Sequence, residues 1–241
     1  MAGMKIIRLF EFLKPAYAMN LDRYEYLTKR TYKEYSFYSE GPKGRILKVV
    51  RFILIPAYPD PFYYLVFGDW NEEEKAIDDK VITNNGDMEK VLATVAAIIM
   101  YFTDLFRKAE VLIEGSTSAR TRLYQIGLNK FWHEIEKIFD IYGRVGDKVE
   151  AFQKNVHYNA FWVVRKEKVS IILNEQTEIY MTSSTKNNNE KRRVYNDRVV
   201  DGPELVNIHT DPVVLKKGEA AKKTYKECNL AEWRLKRREL R

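Results

Sequence analysis

The segment from Thr31 to Asp69 constrains the fold most, because a tight turn joins two strand-like runs and leaves them only an antiparallel pairing. TYKEYSFYSE precedes Gly41-Pro42-Lys43-Gly44, and RILKVVRFILI follows it. Aromatic and β-branched residues suit a pleated, half-buried surface, while glycine and proline interrupt the ladder, so the order reads as a hairpin. After a break at Pro56 to Pro61, FYYLVFGD supplies a third strand, giving a three-stranded antiparallel meander. The alternation of Tyr32, Tyr35 and Phe37, and of Ile46, Val49 and Phe52, is imperfect and leaves the buried face open.

WNEEEKAIDDK then reads as an acidic loop. Asn84, Asn85 and Asp87 are turn and cap residues, and Val91, Val95, Ile98, Ile99 and Phe102 recur at helical spacing, which predicts a helix from Asp87 to Arg107 lying over the sheet. A strand at Ala109 to Glu114, a helix from about Thr117 to Ile126, a short helix running into a strand across NKFWHEIEKIFDIYGRV, and a strand at His157 to Arg165 complete the unit. Strands first, then helix-strand-helix-strand, predicts an α+β fold: a mostly antiparallel sheet with helices packed on one face.

The 241 residues are expected to divide into an N-terminal extension (1–18), an α+β domain (19–180), a linker (181–200) and a basic, partly helical tail (201–241). KEKVSIILNEQTEIY is an apolar run without an evident partner, and MTSSTKNNNEKRRV is too polar to pack. Further on, Leu205, Val206 and Ile208 are candidate anchors, Asp211-Pro212 can open a helix, and Ala220 to Arg237 is helix-compatible. With so few large apolar residues the tail cannot build its own core and is expected to dock on residues 19–180 or on a partner.

Charge follows the same division. The net charge is +7, yet residues 181–241 hold 15 Lys and Arg against 9 Asp and Glu, and the body from 19 to 180 is nearly neutral. General attraction to nucleic acid therefore belongs to the tail. One cysteine, Cys228, excludes an intrachain disulfide, and three scattered histidines, His133, His157 and His209, argue against a metal centre; no cofactor is expected. The longest apolar stretch, VLATVAAIIMYF, is too short to span a bilayer, and Arg8, Glu11 and Lys14 interrupt any signal-like segment, so the expectation is a cytoplasmic protein without a membrane partner.

The best candidate site is the strand-to-helix junction VLIEGSTSARTRLYQIGLNK. Unpaired N–H groups at a helix start, hydroxyls and guanidinium groups together suit an anion, so Gly115, Ser116, Thr117, Ser118, Arg120, Arg122 and Tyr124 form a candidate anion-binding set. Ser116 or Thr117 can equally be a plain helix cap, with the arginines paired to Glu110, Glu114 or Glu134. Arg122 should point away from the face that Arg120 and Tyr124 share. Arg120, Tyr124 and His157 could serve a metal-independent nuclease if the fold brought them together. Tyr24, Tyr26, Tyr32, Tyr35, Phe37 and Tyr38 could stack nucleobases, although no RNA-binding motif accompanies them. Asp78, Asp79, Asn84, Asn85 and Asp87 do not follow calcium-loop spacing. Glu72-Glu73-Glu74 could be a solvated loop or a landing site for the basic tail.

NLDRYEYL, SEGPKGRILKVVRF, the Asp-Asp then TNNGD stretch, DMEKVLATVAAII, GSTSARTRLYQIGL and NVHYNAFWVVRK together resemble an uncharacterised bacterial domain family known mainly from Bacteroidota, over residues 19–166. The resemblance implies that Met19 is a natural domain start, and it transfers no activity. VVDGPELVNIHTDPVVLKKGEAAKKTYKE resembles small basic proteins encoded beside such domains, which implies a fusion of two neighbours. Two functions stay open. One is an effector or binding module of a toxin-antitoxin-like system contacting nucleic acid or a nucleotide, with the tail as regulator. The other is a non-catalytic protein-protein interaction module.

Overall fold

A computed structural model describes residues 22–29, 31–55, 61–81, 83–166, 212–229 and 232–233, and organises them around one mixed, mostly antiparallel sheet. Its strands are β1 (Leu27–Thr28), β2 (Glu34–Gly41), β3 (Gly44–Ile55), β4 (Phe62–Asn71), β5 (Ala76–Asp78), β6 (Glu110–Ile113), β7 (Phe139–Val145), β8 (Lys148–Ala151) and β9 (Ala160–Arg165). The helices are α1 (Met88–Leu105), α2 (Ser118–Lys130), α3 (Trp132–Ile135) and α4 (Pro212–Glu227). Strand order is β1-β2-β3-β4-β6-β9-β7-β8, with β5 beside β4. The class is α+β, as the element order implied.

The hairpin turns where the glycines stand, with Gly41 opposite Gly44 in the β2-β3 register and Gly44 at φ +86°. β3 and β4 complete the antiparallel meander. β4 then pairs in parallel with β6, and α1 makes the crossover between them. The imperfect alternation in β3 has a physical cause. Val50 and Phe52 face one core and Val49 and Ile55 the other, so a strand covered on both sides carries apolar residues at successive positions.

Helices occupy both faces, which corrects the expectation of one. α1, α2 and α3 cover the face that presents Tyr35, Phe52, Tyr63, Val111 and Phe161. There Phe102 of α1 stacks on Phe52 with ring centroids 3.7 Å apart. The opposite face, with Val49, Phe62, Tyr64, Leu112 and Trp162, is covered by α4 through Val213, Ala221 and Tyr225. A covering helix needs only one apolar stripe, so low overall hydrophobicity hid this role in the sequence.

Two further differences concern strands. The acidic loop is a hairpin turn: β4 continues to Asn71, and Ala76 and Ile77 return beside it as the buried part of β5. β8 is a short edge strand paired with β7 and carrying Lys148 and Glu150. Three or four residues hold too little periodicity to announce a strand.

Asp87 stands at the N-cap of α1 but makes no cap hydrogen bond with its side chain. Its Oδ2 accepts from the hydroxyls of Tyr24 and Ser39, at 2.8 and 2.6 Å. Asn85 donates to Ser39 Oγ and to the Gly44 carbonyl, and accepts from the Lys43 N–H. The TNNGD stretch thus ties the first hairpin to the start of α1, a structural job. Residues 1–18, residues 167–180 of the run KEKVSIILNEQTEIY, the linker, and Leu205, Val206 and Ile208 lie outside the described residues. Among the described residues no helix is long and apolar enough to cross a membrane.

Candidate functional site

The β6-α2 junction forms where expected, and its side chains turn inward on the protein. The Gly115 N–H donates to Thr121 Oγ1 at 3.1 Å, and a Cβ on residue 115 would sit 2.4 Å from the Thr121 nitrogen, so only glycine fits. Thr117 is the N-cap of α2, its hydroxyl accepting from the Arg120 N–H at 3.3 Å. Ser116 donates to the carbonyl of Asp79. Arg120 donates to that same carbonyl through Nη1 and to the Val81 carbonyl through Nη2. Both terminal nitrogens of Arg120 therefore hold the 79–81 backbone in place.

The remaining members of the sequence-derived set separate. Ser118 and Arg122 are exposed, and Tyr124 packs toward the α1-α2 core. Burial pushes the Tyr124 hydroxyl up to about 12, against the pull of Arg120, so it is protonated at neutral pH. His157 is exposed, and among the described residues no hydrogen bond or ion pair joins it to Arg120 or Tyr124. Of the aromatic set, Tyr26, Tyr35 and Phe37 are core residues, while Tyr38 is exposed beneath Arg45. An apolar cavity of about 80 Å³ between α1, α2 and the sheet, lined by Val95, Ile99, Tyr124 and Leu128 among others, has almost no polar surface with which to orient a ligand.

Behind the junction, on the α4 face, lies a charged cluster. Asp78 fixes its loop by accepting from the N–H groups of Lys80 and Val81, at 2.8 and 3.0 Å. Asp79 follows, buried, and takes the ammonium of Lys217 from α4 at 2.7 Å, the two side chains being 8% and 12% exposed. Glu114 accepts from Arg144 at 3.0 Å, and Arg144 donates onward to Thr224 of α4, also at 3.0 Å. Burial pushes the Glu114 carboxyl above its ordinary range, while Arg144 and Lys217 pull it back. Tyr64 lies beneath, its ring 5.7 Å from Lys217, and burial together with Glu114 raises its hydroxyl far above the ordinary value. Apolar contacts flank the charges: Tyr225 meets Phe62 edge-on at 5.4 Å, and Trp233 meets Tyr142 at 4.7 Å.

Sequence reasoning placed Asp79 in an acidic loop and Glu114 at a strand end as one possible partner of Arg120 or Arg122, and it did not single out Arg144 or Lys217. The trace left in the sequence is spacing. Glu114 follows Leu112 by two, the strand period, and Lys217 lies three after Val214 and four before Ala221, on one helical stripe. The tail lands on Asp79 rather than on Glu72, which pairs with Lys75 and Trp70. Among the described residues no group of His, Cys, Asp and Glu is arranged to hold a metal.

Residues 20–166 match the model of a family of unknown function, DUF6934, over more than half of the chain. The chain belongs to DUF6934. No curated protein and no solved structure matches it significantly. The match divides the cluster in two. Tyr64, Asp79, Glu114, Arg120 and Arg144 belong to the DUF6934 segment, whereas Lys217, Thr224 and Tyr225 come from α4, beyond it. Among the described residues, the element covering this face of the DUF6934 sheet comes from outside the family segment.

Proposed function

We propose that the DUF6934 domain is a non-catalytic interaction module whose second sheet face accepts an amphipathic helix, and that α4 is its resident ligand and regulator in this chain. The observation that carries this reading is the origin of the cover. Phe62, Tyr64, Leu112 and Trp162 are all contributed by the family segment and are at most 2% exposed, yet the helix over them lies beyond residue 166. A face of that apolar extent is unstable in water and calls for an occupant. Helix-in-groove recognition reads anchors one and two turns apart, as Val214, Ala221 and Tyr225 are.

A toxin-antitoxin-like effector that cradles a phosphate with Gly115, Ser116, Thr117, Ser118, Arg120, Arg122 and Tyr124 has less support. Arg120 is engaged with two backbone carbonyls, and the Asp79 carboxylate acts, like Arg120, on Tyr124. A nuclear magnetic resonance titration with inorganic phosphate at millimolar concentration is expected to leave the amides of Ser116 to Ala119 unmoved. Shifts there that vanish in Arg120→Gln would favour the anion reading instead.

The interaction reading is tested in the full chain with Ala221→Arg, because Ala221 of α4 is fully buried against the sheet and an arginine there cannot fit. The variant should release α4 and bind an added, fluorescently labelled peptide of residues 210–235, while the wild-type protein leaves that peptide free. A folded variant that ignores the peptide would sink the proposal.

A further inference from the structure

Around the β6-α2 junction the charges on the α4 face do not balance without the helix. There the DUF6934 segment brings two largely buried carboxylates, Asp79 and Glu114, and one cation paired to a carboxylate, Arg144; the buried Arg51-Glu34 pair belongs to β3 and β2, and Glu110 stands at the opposite end of β6. Arg120 is near, but its terminal nitrogens rest on the carbonyls of Asp79 and Val81. The missing positive charge arrives with Lys217, whose ammonium lies 2.7 Å from Asp79, within electrostatic reach of Glu114, and over the Tyr64 ring. A buried carboxylate without a counter-charge is strongly disfavoured, so an occupant lacking a cation at this point leaves a penalty that apolar contacts must overcome.

Resting on the interaction reading, we infer that this face selects its helix by one buried basic residue: Asp79, with Glu114 behind it, is a receptor for a lysine placed between apolar or small anchors, and Arg120 is a positioning residue that sets Asp79. The partner class is an amphipathic helix with a branched aliphatic residue three before the lysine, a small residue four after it and an aromatic eight after it, as Val214, Lys217, Ala221 and Tyr225 display. The small residue is required because Ala221 is fully buried against the sheet. The junction that looked from sequence like an anion cradle therefore serves the opposite charge. Gly115 lets α2 start against the strand end, Ser116 and Arg120 grip the Asp79 carbonyl, and the carboxylate beyond it is presented to a cation.

Hydrogen exchange on the full chain tests the selection, with residues 212–227 as the readout and α1, on the opposite face of the sheet, as internal control. In the wild type α4 is expected to be protected. Lys217→Met should lower its protection by about tenfold or more, since one member of a buried pair is lost, and Lys217→Arg should retain most of it. Asp79→Lys should lower it similarly, and combining Asp79→Lys with Lys217→Asp should restore it. Arg120→Gln should weaken protection of α4 in the wild type and add little once Lys217→Met is present, as expected of residues acting through one contact. Protection unchanged by Lys217→Met would overturn the lysine receptor and leave helix docking intact. An unprotected α4 in the wild type would overturn the docking on which it rests. Lys217 lies outside the DUF6934 segment and α1 on the opposite face of the sheet, so the Lys217 variants should leave α1 protected even if Asp79→Lys disturbs folding.

Discussion

Gly115 and Glu114 are neighbours with opposite demands. Gly115 is fixed by space, because a methyl group would run into the Thr121 backbone at the start of α2. Gly115→Ala is therefore expected to destabilise the protein by about 1–3 kcal/mol through overpacking, measured by urea denaturation. Glu114 is governed by charge. Its folded carboxyl sits above the ordinary value of 4.5, chiefly from burial, so the folded state holds that proton more tightly than the unfolded chain does. Its contribution to stability is complete below the unfolded value and is lost as pH rises through the folded one. Relative to Glu114→Gln, the wild type should lose stability as pH climbs above about 4.5 and then level off, a trend readable from parallel melts. A difference that grows in the wild type's favour with rising pH would show that Arg144 and Lys217 outweigh burial.

At the scale of elements, α4 is the least autonomous and the easiest to tune. Its surface pairs, Lys222 with Glu219 and Lys223 with Glu227, are exposed and contribute ~0.5 kcal/mol or less each. Breaking the Lys217-Asp79 pair from one side costs several times more, on the order of 3 kcal/mol in a buried setting. Gly218 stands inside the helix with open space where a Cβ would be. Glycine there costs helix stability without any packing return, so Gly218→Ala should increase α4 protection by an amount equivalent to ~0.5–1 kcal/mol in exchange measurements. An unchanged or weakened helix would mean that docking, and not helix propensity, limits its stability. The same weighing explains why α1 was legible: Val91, Val95, Ile98 and Phe102 repeat over 18 residues and point to one core, whereas the stripe of α4 is diluted by lysines.

Across the whole molecule, the sheet joins elements that are local in sequence with others that are not. The β2-β3-β4 meander, α1, the strand ending before Gly115 and the helix after it were legible, because hydrophobic period and turn chemistry are properties of short stretches. The residues of the candidate set stand at a strand-to-helix junction, but what they face was not readable: Arg120 meets the carbonyls of a loop about forty positions earlier. The parallel pairing of β4 with β6 and the short β5 and β8 left no periodic trace either. By itself the sequence determined an α+β unit with aromatic-rich antiparallel strands, an excess of positive charge after residue 180, and a glycine-bearing strand-to-helix turn. Only the tertiary structure decided that the sheet is covered on both faces, that the tail helix lies on the second face, and that Asp79 and Glu114 meet Lys217 there. Pattern is written residue by residue, whereas the pairing of buried charges depends on which distant surfaces the fold brings into contact.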